Sequence, residues 1–386
     1  MRPSQCLQVH GSSKYGNQSV NRDVPAGWAQ GEICQTLGRE RYCVFTLPEF
    51  SGGDGVSIIT TRSRLSDLAS KQPFQSGNPP ANTHVQAGTS TIYRQAELPE
   101  KGIGLLATAP IRAGQRIMSR TPALIVDGRL MQGLERNRMS QLLAQAVQEL
   151  PTPHRKRFLD LSTHSSVSTF ADRVYQIFAV NNFRTSLNGW DFQSTFTEVS
   201  RLNHDCRPNS VYYFDPQTFS HKVMAVRNIV PGEELTISYI DGFQSRAARQ
   251  DQLLRHWGFS CSCHVCQSDA HIAEESDSRV AQILELWKEL DDYSPSSSAT
   301  PEKAELLVEL YGLEGMEGRI QEAYYRAAIE FNALGLSSQA MKYARLCLDK
   351  GLAFKGPGRP FIDSMKELLR DAEAHHSWKS RIRAPI

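Results

Sequence analysis

WGFSCSCHVC occupies residues 257–266 and places Cys261, Cys263 and Cys266 in one tight loop. A structural zinc site takes four soft or borderline ligands in a tetrahedron, and this loop supplies three thiolates. The fourth must come from elsewhere: Cys206, the neighbouring His264, or the more distant Cys6, Cys34, Cys43 and Cys347. Cys206 is preferred because it sits in the turn NHDCRPN at 203–209, where Pro208 and Asn209 fix the backbone ahead of a strand. A lone cysteine is usually a small buried hydrophobe, but three at this spacing argue for bound Zn2+. Such an ion would pin the chain beyond Ile240 against 203–209 and bring two remote stretches together.

The chain has 386 residues, room for two or three folded units at about 150 residues each. With 40% hydrophobic residues, 22% charged residues and a formal net charge of +2, it has no strong sequence-wide field for nucleic acid or an anionic membrane. Direct nucleic-acid binding is therefore not expected. The opening residues MRPSQCLQVHGSSKYG lack the apolar core of a secretory signal, and no segment approaches the ~18 apolar residues of a membrane helix. The expectation is a soluble intracellular protein, nuclear or cytoplasmic. Eight cysteines are too sparse here for a disulfide scaffold.

Residues 1–90 are rich in Ser, Gly, Asn, Gln and Pro, with SGGDG at 51–55 and GNPPAN at 77–82. They read as a low-complexity, largely disordered arm, although Trp28, Tyr42, Val44 and Phe45 leave a small irregular subdomain as the alternative. Residues 91–245 read as a β-rich domain whose first short strands surround the turn glycines Gly102, Gly104, Gly114 and Gly128. A helical insert at about 129–180 interrupts it: Leu134, Met139, Leu142, Leu143, Ala146 and Leu150 recur at helical spacing until Pro151 and Pro153. Strands resume at 210–214, 222–228 and 234–240, followed by the cysteine loop at 246–270. Residues 271–386 read as helical, and Tyr324, Ala327, Ala328, Phe331, Ala340, Ala344 and Cys347 fit one tetratricopeptide-like helix pair or, equally, a plain hairpin.

KGIGLLATAPIRAGQRI at 101–117, RLNHDCRPNS at 201–210, GEELTISYID at 232–241 and WGFSCSCHVC at 257–266 together resemble a SET-domain protein lysine methyltransferase. The likeness is greatest to the SET-and-MYND group and its fungal-type relatives. It implies an α+β chain: a SET-type β fold with a helical insert, a zinc-binding post-SET loop and an α-helical, TPR-like C-terminal lobe. The implied activity is methyl transfer from S-adenosyl-L-methionine to a lysine of a protein substrate. Gly102, Ile103 and Gly104 would contact the cofactor, the glycines letting the backbone come close. Asn203 would meet its amino-acid end, the main chain of His204 its adenine edge, and Asn181 of NNF (181–183) a further polar group. Phe259 would stack on the adenine. Tyr239 would touch the cofactor and act catalytically, its hydroxyl beside the transferring methyl group.

Each motif also has a plainer reading: an ordinary turn for Gly-Ile-Gly, turn chemistry for Asn-His, a packed core tyrosine, a hydrophobic staple for Phe259. Departures from the family pattern are equally visible. The insert between Gly128 and Asn181 has no cysteine and so no MYND zinc module, Asp205 stands where serine is usual, and Arg120 stands where glutamate is common. The rival reading is a catalytically silent scaffold that binds peptide or protein partners, with the C-terminal helices as the docking surface.

Overall fold

A computed structural model describes residues 24–75, 92–163, 169–294 and 296–382. Its first finding corrects the reading of the N-terminal arm. The strands β1 (Ala29–Leu37) and β2 (Glu40–Leu47) form a hairpin across Gly38, whose φ of 62° suits the turn. After the one-turn helix α1 (Phe50–Gly53), β3 (Val56–Thr61) leads into α2 (Arg62–Ala69) and α3 (Gln72–Gln75). Trp28, Phe45, Phe50, Ile58, Leu65 and Phe74 bury themselves in one core. A largely disordered arm therefore does not describe 24–75; Cys6 and GNPPAN lie outside the described residues. Cys34 and Cys43, facing each other across the hairpin, form a disulfide, which removes both from the candidate metal ligands.

The next elements are β4 (Tyr93–Leu98), β5 (Gly102–Ala107), β6 (Arg116–Arg120) and β7 (Leu124–Asp127). β3 pairs with β7 in parallel, so the N-terminal strands extend the same sheet that receives the insert. That insert comprises α4 (Gly128–Gly133), α5 (Arg136–Gln148), α6 (Thr152–Leu159) and α7 (Phe170–Asn181), and it returns through β8 (Asn182–Leu187) and β9 (Trp190–Thr195). The six-stranded order is β1-β2-β3-β7-β9-β8. Met139, Leu142, Leu143, Ala146 and Leu150, the residues at helical spacing, are buried beneath it with Phe158 and Phe178.

β10 (Asn203–His204), β11 (Ser210–Asp215), β12 (Ser220–Ala225) and β13 (Glu234–Ile237) complete the strands. They build a four-stranded sheet, β10-β13-β5-β4, and a three-stranded one, β11-β12-β6. β10 pairs with β13 in parallel, Asn203 opposite Thr236 and His204 opposite Ile237, which delivers two distant motifs to one place. Arg120 does not stand uncompensated where glutamate is usual. It pairs with the buried Glu198 and donates to the Tyr93 hydroxyl at 2.9 Å.

The chain ends in α8 (Arg246–Trp257), α9 (Ala270–Leu290), α10 (Pro301–Leu313), α11 (Gln321–Ala333), α12 (Ser337–Lys355) and α13 (Pro360–Arg370). Ala327, Ala328, Ala340, Ala344 and Cys347 are buried between helices, where small side chains allow close approach. No helix among the described residues is long and apolar enough to cross a membrane. The lobe is locked to the turn after β10 by Arg207, which donates to Glu314 at 2.6 Å with both side chains at most 3% exposed. Ser276 and Arg279 donate to the same carboxylate at 2.8 and 2.7 Å. Burial by itself would raise the Glu314 pKa, but these three donors outweigh it and hold the carboxyl below the ordinary range.

Removing one partner of a buried pair strands the others. Glu314→Gln should cost about 3–5 kcal/mol in urea unfolding, against about 0–1 kcal/mol for the same change at Glu285, whose pairing with Lys288 is exposed. Equal losses would show that Glu314 does not clamp the lobe.

Candidate functional site

The parallel β10–β13 pairing places His204 beside Tyr239. The Tyr239 backbone N–H donates to His204 Nδ1 at 3.0 Å, leaving Nε2, 3.4 Å from the Cys206 sulfur, to carry the ring proton. Burial lowers the His204 pKa to about 4, so the ring is neutral. β10 is the edge of its sheet, so its unpaired side is open to a ligand. A cavity of about 360 Å³ lies there, and Asn203, His204, Asn181, Ile103, Tyr239 and Phe259 all line it.

Each polar wall residue is partly committed. Asn203 Nδ2 donates to Glu234 at 2.9 Å, and Lys101 holds the other Glu234 oxygen at 2.7 Å, which leaves the Asn203 carbonyl oxygen as an acceptor. Asn181 spends its amide hydrogens on the carbonyls of Ser162 and Ile177. Gly102 and Gly104 are not among the lining residues; they shape the wall. A Cβ at Gly104 would stand 2.7 Å from the Asn203 amide and 2.5 Å from Leu98, and Gly102 turns with φ 72°.

The sulfurs of Cys206, Cys261, Cys263 and Cys266 lie within 4.8 Å of one another, all in buried residues. Cys206 Sγ is 3.5 Å from Cys266 and 4.0 Å from Cys261. Metal–sulfur bonds of about 2.3 Å in a tetrahedron put sulfurs about 3.8 Å apart, so the four can hold a metal ion of that size. Two residues of α8 that the sequence did not single out support the cluster. Gln250 clamps the Cys261 backbone through two hydrogen bonds of 2.8 Å, and Arg249, 1% exposed, sits against Cys206 and Cys266, where its charge offsets that of thiolates. Cys261 and Cys263 also line the cavity, so the loop's order is the cavity's order.

Beyond Tyr239 a narrow channel of about 70 Å³ opens, lined by Phe183, Tyr212, Leu202 and Trp257. Tyr239, Trp257 and Asn181 line both spaces. Phe183 stands edge-on to Tyr212 at 5.1 Å, and Trp257 lies 5.5 Å from Tyr239. Behind these rings the fully buried His221 stacks on Phe196 at 3.8 Å, and desolvation lowers its pKa to about 3. Tyr239 keeps its proton, since burial raises its pKa, and its hydroxyl donates to the Leu202 carbonyl at 2.8 Å. Sequence reasoning missed Phe183, Tyr212, Trp257 and Lys101, although three of them adjoin its motifs: Phe183 in NNF, Trp257 in WGF and Lys101 before Gly102.

Residues 102–240 match the SET domain family. Among its relatives is a histone-lysine N-methyltransferase, set5, of Schizosaccharomyces pombe, 29% identical over 195 residues, 50% of this chain and 56% of that protein. Human histone-lysine N-methyltransferase SMYD3 is 34% identical over 98 residues, 25% of this chain and 21% of that one. A SET and MYND domain-containing protein of Dictyostelium discoideum is 39% identical over 71 residues, 18% and 20% of the two chains. The chain thus spans little more than half the length of the first of these relatives and about a fifth of the others.

A closed four-sulfur site predicts about one metal ion per chain by elemental analysis. Cys206→Ser should lower that content and the melting temperature together. Full metal content with unchanged melting would remove Cys206 from the site.

Proposed function

We propose that the protein transfers a methyl group from S-adenosyl-L-methionine to a lysine of a protein substrate, with zinc held by Cys206, Cys261, Cys263 and Cys266. One observation carries this reading: Tyr239 stands where a ligand-sized cavity beside Asn203 and His204 meets a narrow aromatic channel. The names of the relatives agree with it. The cofactor, when bound, supplies a methyl already activated on a sulfonium, so the chain's task is alignment, desolvation and delivery of a neutral amine.

Its own residues suit each task. Ile103, Asn203, His204 and Asn181 would hold the cofactor, with Phe259 over its adenine, 6.2 Å from the His204 ring. Phe183, Tyr212 and Trp257 would receive the lysine's methylene chain and exclude water, which favours the uncharged amine. The Tyr239 O–H is spent on Leu202, so its oxygen can accept an N–H from that amine. A neutral amine that donates this bond keeps its lone pair free to attack along the line of the cavity. Zinc would act by ordering 259–263 around the cavity and would take no part in the transfer.

Tyr239→Phe keeps the ring and removes the hydroxyl. In a mass-resolved methylation time course the rate should fall on the order of tenfold to a hundredfold, or the number of methyl groups added should change. Calorimetry should show S-adenosylhomocysteine binding within about twofold of wild type, because the lost contact serves the amine. An identical rate and product distribution would sink the catalytic role. No transfer to any lysate protein by the wild type, with cofactor in excess, would establish the silent scaffold instead.

A further inference from the structure

A groove of about 280 Å³ lies next to the channel, between the SET domain and the C-terminal lobe. Tyr212, Ile237 and Ser238 line both spaces, so a polypeptide with its lysine in the channel would lay its flanking residues in the groove. Gly242, Gly315 and Gly318 also line it and leave room for a main chain. Only two lining residues carry charge, Arg319 and Lys355, and both are cations.

The two are not equivalent. Arg319 is satisfied: it donates to Asp241 at 2.7 Å and to Glu322 at 2.8 and 2.9 Å, with its guanidinium 4.4 Å from the Phe243 ring centre. Among the described residues no carboxylate lies within ion-pair distance of Lys355, and no acceptor receives its ammonium. Lys355 is also anchored. It ends α12, and the next residue, Gly356, packs so closely on Tyr213 that a Cβ would come within 2.4 Å of the ring. Tyr213 adjoins the channel residue Tyr212 on β11, so the lysine's stem is fixed relative to the channel.

Burial lowers the Lys355 pKa; Glu322 opposes this, while Arg319 and Arg359 reinforce it. A lysine in a last helical turn complements the helix dipole, but that role needs neither a groove nor loss of water. A half-buried cation without a counterion is costly, and the cost is relieved if a ligand brings the anion. A basic side chain at the same place would instead meet the like charge of Lys355.

Building on the methyl-transfer reading, we propose that Lys355 is a specificity residue that pairs with an acidic side chain flanking the target lysine, so that the preferred substrates carry their lysine in an acidic context.

The test uses the full chain and fluorescein-labelled peptides with one fixed lysine and Glu, Gln or Lys at each flanking position. Anisotropy with S-adenosylhomocysteine present measures binding, and labelled S-adenosyl-L-methionine measures transfer. At one flanking position Glu should bind about tenfold tighter than Gln, the size of one charge-assisted hydrogen bond. Lys355→Met should erase that preference and leave the Gln peptide unchanged, Lys355→Arg should restore it, and Lys355→Glu should shift it toward Lys. No position favouring Glu, or a preference that survives in Lys355→Met, overturns the proposal. Binding that depends on Lys355 without any transfer would remove the catalytic reading and keep the recognition. Transfer indifferent to flanking charge would do the reverse.

Discussion

Residues 205–207, the turn after β10, join three parts of the molecule through three consecutive residues. The Asp205 N–H bonds to the Ile237 carbonyl and extends the parallel pairing with β13. The Cys206 sulfur meets the cysteines of 261–266, more than fifty residues downstream. Arg207 reaches the C-terminal lobe at Glu314. A backbone bond, a thiolate cluster and a buried ion pair thus fix sheet, loop and lobe to a single hinge point. Because adjacent residues cannot move independently, loosening any one contact is felt by the other two, and the cavity, channel and groove all lie around this turn.

What could be read in advance follows from the range of the interactions involved. The four-cysteine cluster and the residues that line the cavity were legible because closely spaced cysteines and tight turns leave local marks: C-x-C-x-x-C, a Pro-Asn turn, paired glycines. Strand positions after 210 were legible for the same reason, since DPQT and PGE punctuate them. The N-terminal hairpin was not. Its Ser and Gly content reads as low complexity, and β3 becomes a central strand only because β7, more than sixty residues later, pairs with its far side in parallel. The Cys34–Cys43 pairing was hidden likewise, because it depends on hairpin register and not on cysteine density. Gly104 shows a subtler limit: it was read as touching a ligand, but its missing side chain makes room for Asn203 and Leu98.

Arg120 shows how an altered charge is accommodated. A cation on β6 where an anion is usual would be severe if buried alone, yet Glu198 and the Tyr93 hydroxyl enclose it. Glu198 balances the Arg120 charge within the pair. Such exchanges are invisible along one strand, because the compensating group arrives from a distant segment.

On the methyl-transfer reading, the channel and the groove would place opposite electrostatic demands on one substrate. In the channel the target amine would have to lose its charge, which desolvation among Phe183, Tyr212 and Trp257 would favour. A carboxylate close to that amine would work against this by stabilising the ammonium form. An acidic flanking residue is therefore compatible with transfer only if its field is cancelled outside the channel. Lys355, fixed through Gly356 and Tyr213 at the groove, is placed to do so. One ion pair in the groove would then both select the sequence context and shield the reacting amine from it, so recognition and deprotonation become parts of the same electrostatic arrangement.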